Sequence, residues 1–143
     1  MGRIIAIDYG TKRIGLAVTD TMQIIANGLC TVPCGEAIEY LQAYISREAV
    51  DLFVVGQPKQ LNNEPSENMR HIKDFVNRLH KIIPDVPVEF ADERFTSTMA
   101  HRAMIDGGLP KKRRQDKALV DKISATLILQ GFLEKKRLTS HRI

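Results

Sequence analysis

The chain has 143 residues, 43% of them hydrophobic and 27% charged, a mixture suited to one globular domain with one core. Its formal charge of +4 and pI of about 9.2 are only mildly basic, so the distribution of charge matters more than its sum. No apolar run approaches the roughly 18 residues of a membrane span, no signal peptide is expected ahead of the first strand, and two cysteines, Cys30 and Cys34, are too few for a zinc site and read as a reduced pair.

The first strand is expected over Arg3 to Asp8. Ile4 to Ile7 is an unbroken apolar run, the pattern of a strand covered on both faces, and it ends on a carboxylate. Gly10 permits a close approach of backbone or ligand, and Thr11, Lys12 and Arg13 make a short basic turn. A second strand follows over Ile14 to Thr19 and a third over Asn27 to Val32, stopped by Pro33, which gives an antiparallel meander. A helix is predicted over Glu36 to Ala49, with Ile38, Leu41, Ile45 and Ala49 as its buried stripe.

Leu52 to Val55 is a second buried strand, ending at Gly56-Gln57-Pro58, and Asn62-Asn63 suits a turn. A second helix begins near Pro65 or Ser66, with Met69, Ile72, Phe75, Val76 and Leu79 inward. Val86 to Phe90 reads as an edge strand because of Pro87, and Asp92-Glu93-Arg94 comes next. Thr96 or Ser97 caps a third helix that stops at Gly107-Gly108. A final helix, apolar nearly all round, runs from about Lys117 to Lys135.

The element order is βββαβαβαα, an α/β fold: a five-stranded mixed sheet with helices on both faces, filling a single domain over 1–143. Residues 109–116 form a basic, mobile loop, and 136–143 a flexible basic tail able to touch phosphate weakly. Helical crossovers make the first, fourth and fifth strands parallel, so their carboxyl ends share one rim, where ligands bind in open α/β sheets. Asp8, Gly56, Pro58, Asp92 and Glu93 gather at that rim, whereas Asp20 falls at the opposite one. Asp121 shares a helix row with Ser124, Ala125 and Ile128, which aims it at the sheet. A helix-surface ion pair with Lys117 or Lys122 is the competing reading of Asp121, as a turn cap is for Asp8.

Asp8, Glu93 and Asp121, with Asp92 in reserve, would form a cluster of hard oxygen ligands without histidine or cysteine, suited to one or two Mg²⁺ or Mn²⁺ ions. Such ions can clamp a phosphodiester for hydrolysis. Lys12, Arg13 and Arg94 are placed to meet phosphates, and Lys111-Lys112-Arg113-Arg114 could close over a nucleic-acid backbone or serve only as a solvated loop. The histidines, His71, His80, His101 and His141, have no ligand-like spacing.

These residues carry a resemblance. Asp8-x-Gly10 with Arg13-Ile14-Gly15-x-Ala17, Gly56-x-Pro58, Asp92-Glu93-Arg94-x-Thr96-Ser97, and Asp121 followed by Ser124-Ala125 and Ile128-Leu129 resemble the YqgF or RuvX family, in its motif order and over nearly the whole chain. The resemblance implies an RNase H-like fold related to the RuvC resolvases, with Asp8, Glu93 and Asp121 as metal-binding catalytic acids and Gly10, Gly15, Gly56 and Pro58 as structural turn residues. It also implies a bacterial cytoplasmic nuclease maturing the 5′ end of 16S ribosomal RNA precursor, or one resolving branched DNA. The chain departs from the family pattern at Asn62-Asn63, where a glycine is usual, and in having one clear acid on the last helix where RuvC-like sites have two.

Three other readings stay open. A resolvase would need a dimer rather than a monomer to present two sites. A non-catalytic protein could bind ribosomal RNA or an assembling ribosome through the same basic loops. The Asp8-x-Gly10-Thr11 segment also resembles the first phosphate loop of the actin and sugar-kinase fold, which needs two such domains to enclose its nucleotide.

Overall fold

The computed structural model describes residues 2–57, 68–92 and 117–140. Five strands form one sheet: β1 (Arg3–Tyr9), β2 (Arg13–Thr19), β3 (Ala26–Pro33), β4 (Val50–Gln57) and β5 (Val88–Asp92), in the spatial order β3-β2-β1-β4-β5. The first three are an antiparallel meander, and β1, β4 and β5 are parallel, as the crossovers require. Helices α1 (Ala37–Arg47) and α2 (Asn68–Ile82) lie over one face and α3 (Lys117–Ser140) over the other. The expected mixed α/β sheet is therefore present, with β5 at its edge.

Alternation along the central strands divides the core in two. Ile5 and Ile7 of β1, with Phe53 and Val55 of β4, pack on Leu41 of α1 and on Ile72, Phe75 and Leu79 of α2. Ile4 and Ala6, with Ala17 and Val54, pack instead on Ala125, Ile128, Leu129 and Leu133 of α3. The first side is thick with large side chains. The second is thin, because small residues from both elements meet there.

Several boundaries differ from those read off the sequence. A single 3-10 turn, Cys34–Glu36, precedes α1, which ends at Arg47. Leu41 is buried with Ala37 and Tyr44, and Ile38 and Ile45 pack partly buried against the same core, while Ala49 lies beyond the helix and is exposed. Val86 is buried ahead of β5 rather than inside it, and α3 continues past Lys135 to Ser140. The predicted turn at Asn62-Asn63, the start of the second helix, and the helix between Thr96 and Gly108 lie outside the described residues. Cys30 and Cys34 are free thiols.

Gly15 and Gly56 are strand residues rather than turn residues. Gly15 pairs with Asp8 of β1 and Thr31 of β3, and Gly56 pairs with Ala91 of β5. Their value is therefore close approach, not a special turn conformation. Gly10 does belong to the connection between β1 and β2, where an added Cβ would lie 2.5 Å from the Arg13 carbonyl oxygen. Asp20 lies at the opposite rim as expected, and there it caps the β2–β3 hairpin. Its Oδ1 accepts the N–H groups of Ile24 (2.8 Å) and Ile25 (2.9 Å), and Oδ2 accepts that of Met22 (3.1 Å). The Ile25 and Ile24 bonds hold its carboxyl below the usual aspartate range, so this contribution is present above the ordinary pKa and is lost as pH falls through the lowered one.

Gly15 is where the thin side is thinnest. A Cβ built on it falls on the backbone carbonyl of Asp121 and 3.1 Å from the Asp121 Cβ. Gly131, exposed within α3, has nothing within 4 Å of the same position. Gly15→Ala is expected to destabilise the fold by about 1–3 kcal/mol through overpacking against rigid backbone. Gly131→Ala should stabilise it by up to about 1 kcal/mol through helix propensity. Urea unfolding of the two variants checks both signs.

Candidate active site

The site begins at the carboxyl end of β1. Asp8 continues the side of the strand that carries Ile4 and Ala6, so it faces α3 and is half-buried. Its cross-strand partner is Gly15, whose missing side chain leaves room for the first turns of α3. Asp121 stands on that part of the helix. Two acids 113 positions apart in sequence are thus brought to one face of one rim by a single glycine. Ala91 of β5 lies on the same face, beside Gly56.

Asp121 has a partner from the β-sheet. Arg13 Nε donates to Asp121 Oδ2 at 2.9 Å, and the two side chains are 35% and 25% exposed. Arg13, expected to meet phosphate, is therefore seated on a carboxylate. Lys12 is exposed in the turn, and its carbonyl accepts the Cys34 N–H at 3.0 Å. The stem of Lys122 packs over Gly28, its Cγ 3.0 Å from where a Cβ would stand.

Ser124, one turn along α3 from Asp121, is 2% exposed, and its hydroxyl has no hydrogen-bond partner among the described residues. A buried hydroxyl left unpaired is costly. The oxygen donors on this face, the Asp8 and Asp121 carboxylates and the Ser124 hydroxyl, are all hard, a chemistry that fits Mg²⁺ or Mn²⁺ better than zinc. Among the described residues no three acidic, histidine or cysteine side chains are grouped tightly enough to hold an ion by themselves. Glu93, Arg94, Lys111, Lys112, Arg113, Arg114 and Pro58 lie outside the described residues, and so does the side chain of Asp92.

Sequence reasoning did not reveal the role of Gly15 as helix seat or the Arg13 to Asp121 pair. A signal for the first was present in the small residues at Ser124 and Ala125, which match a glycine across the interface. Tyr9, the next residue after Asp8, was also not singled out. Burial pushes its hydroxyl up to about 12, aided by the Cys34 thiol 3.6 Å away.

The RuvX family model, described as Holliday junction resolvase, matches residues 2–135. A candidate pre-16S rRNA nuclease of Parabacteroides distasonis is 64% identical over 137 residues, which cover 96% of this chain and 98% of that protein. Another so named, from Phocaeicola vulgatus, is 63% identical with coverage of 96% and 99%. Among solved structures, Thermus thermophilus RuvC in complex with a Holliday junction substrate superposes with a TM-score of 0.55 at 16% identity, over 96% of each chain. That likeness supports the RNase H-like fold.

The Arg13 to Asp121 pair is half open to water, so its contribution to stability should be small. A double-mutant cycle with Arg13→Ala and Asp121→Ala is expected to give a coupling of at most about 1 kcal/mol. The coupling should shrink as salt is raised in the chemical-denaturation measurements.

Proposed function

The chain belongs to the RuvX family, and on that premise we propose that it is a divalent-metal-dependent endonuclease that processes the 5′ end of 16S ribosomal RNA precursor. The observation that supports this reading is the seating of α3 on Gly15, which brings the Asp121 backbone against the cross-strand partner of Asp8; in open α/β sheets ligands bind at this rim. The names of the close relatives supply the choice of ribosomal RNA precursor.

In this reading Asp8 and Asp121, joined by Glu93 two residues after Ala91, hold one or two Mg²⁺ or Mn²⁺ ions. When bound, such ions lower the pKa of water and stabilise the leaving oxygen. The remaining work belongs to the chain. Rigid β1 fixes Asp8, and the close-packed base of α3 fixes Asp121, so neither carboxylate must be ordered when substrate arrives. Arg13 offsets the charge of Asp121 in the absence of substrate. On binding it exchanges that carboxylate for a phosphate oxygen, the partner for which a guanidinium is equally well shaped. Lys12, Arg94 and the Lys111 to Arg114 run meet the flanking phosphates, a contribution that salt weakens. Work on a ribosomal precursor places the protein in the bacterial cytoplasm, in contact with assembling ribosomes. Among the described residues no helix is long and apolar enough to cross a membrane.

The family's description favours branched DNA as a second substrate. Symmetric cutting of a junction requires two sites, hence a dimer at least transiently, whereas trimming a single RNA end needs only a monomer.

Cleavage of a 5′-extended 16S precursor RNA and of a four-way DNA junction, side by side with Mg²⁺, Mn²⁺ and chelator, tests the reading. Metal-dependent cutting of the RNA is expected, with losses on the order of 10³-fold or more in Asp8→Asn, Glu93→Gln and Asp121→Asn. Cutting of the junction alone would make the resolvase reading primary. Undiminished cutting by Asp8→Asn would remove that residue from the site.

A further inference from the structure

Adjacent residues of a strand leave the sheet on opposite faces, so Asp8 and Tyr9 divide the rim between them. Asp8 turns to α3. Tyr9 turns to α2, where its ring centroid lies 5.2 Å from that of Phe75 with the planes tilted by 48°. Beside it opens a groove of about 520 Å³ lined by Tyr9, His71, Asp74, Asn77 and Arg78.

The four α2 residues are exposed and lie together on the helix. His71, Asp74 and Arg78 are spaced three and four apart, and Asn77 is three beyond Asp74. None of the four makes a side-chain hydrogen bond or ion pair among the described residues. The groove thus combines an aromatic wall, a guanidinium with no ion-pair partner among the described residues, and an amide and a carboxylate able to read hydrogen-bonding edges. An aromatic surface suits the face of a base, a guanidinium suits phosphate, and asparagine and aspartate suit base edges.

We propose that this groove receives an unpaired nucleotide flanking the scissile phosphate, its base against Tyr9 and within reach of Asp74 and Asn77, and its phosphate on Arg78. The proposal rests on the nuclease reading above and extends it from the reacting phosphate to the selection of the neighbouring nucleotide. The strand would cross the rim between Asp8 and Tyr9, where one residue of backbone separates the catalytic face from the groove.

The test is binding, read by fluorescence anisotropy with Ca²⁺ in place of Mg²⁺. The probe is a single-stranded RNA spanning the 5′ extension of the 16S precursor, used intact and with an abasic residue at each position in turn. For the parent protein, one position is expected to lose about tenfold in affinity when its base is removed. Asn77→Ala should weaken binding of intact RNA several-fold and have little effect on RNA abasic at that position. Arg78→Ala should weaken both alike, because the phosphate remains. Lys81→Ala, a charge change on the same helix outside the groove, should leave the positional pattern unchanged. These are exposed helix residues, so the variants should fold, and circular dichroism checks this. A parent protein indifferent to base removal at every position overturns the groove, as does an Asn77→Ala loss equal on intact and abasic RNA. If the positional pattern appears while neither RNA nor junction is cut, the groove stands and the nuclease reading fails. Absence of any RNA binding overturns both.

Discussion

The backbone of α3 rests on the backbone of β2 at Gly15, with no side chain between them. Small residues extend this contact: Ala6 and Ala17 on the sheet, Ser124 and Ala125 on the helix. On the other face α1 and α2 stand off on isoleucine, leucine and phenylalanine. Close packing without voids means that a helix can approach a sheet only as far as the intervening side chains permit. One methyl group at Gly15 would push the helix away where Asp121 meets the partner of Asp8. Stability of the thin side and the spacing of the two acids therefore depend on the same contact.

That spacing has an electrostatic consequence. Two carboxylates drawn to one rim repel each other, at a cost to the fold. Arg13, on the strand next to Asp8 and hydrogen-bonded to Asp121, offsets part of this cost. Because both members of the pair are partly exposed, the interaction is weak enough to be exchanged. A deeply buried pair in the same place would hold the fold together and leave the carboxylate unavailable. The unpartnered Ser124 hydroxyl is a second point at which the described structure is left unsatisfied beside this cluster.

Strand alternation extends the rim to both faces of the sheet. β1 delivers an acid to one and an aromatic ring to the other, one residue apart. The groove on the aromatic side is bordered by α2, whose exposed surface also carries Arg70 and Lys73. A polyanion lying across the rim would then meet cationic surface beyond the carboxylates themselves, which lowers the cost of bringing phosphate to an acidic site.

Much of this organisation is written locally. The unbroken apolar runs Ile4 to Ile7 and Leu52 to Val55 determined two central strands, because burial on both faces removes polar alternation. The helical stretches between them determined parallel pairing, since a chain must cross over to re-enter a sheet in the same direction. Those two facts already bring Asp8 to the rim shared with the ends of β4 and β5. The row of Ser124, Ala125 and Ile128 determined which way the base of α3 faces. What tertiary structure alone decided is how near the elements come and which charge meets which. Gly15 is legible as a glycine but not as the seat of a helix more than 100 residues later, and Arg13 looks like any basic turn residue until Asp121 is beside it. That Ala49 falls beyond the end of α1 at Arg47 is equally silent in a periodicity. Periodic patterns record which side of an element is dry, a property each segment carries by itself. Approach distances and ion pairs arise from the steric and electrostatic fit of segments that are strangers in sequence.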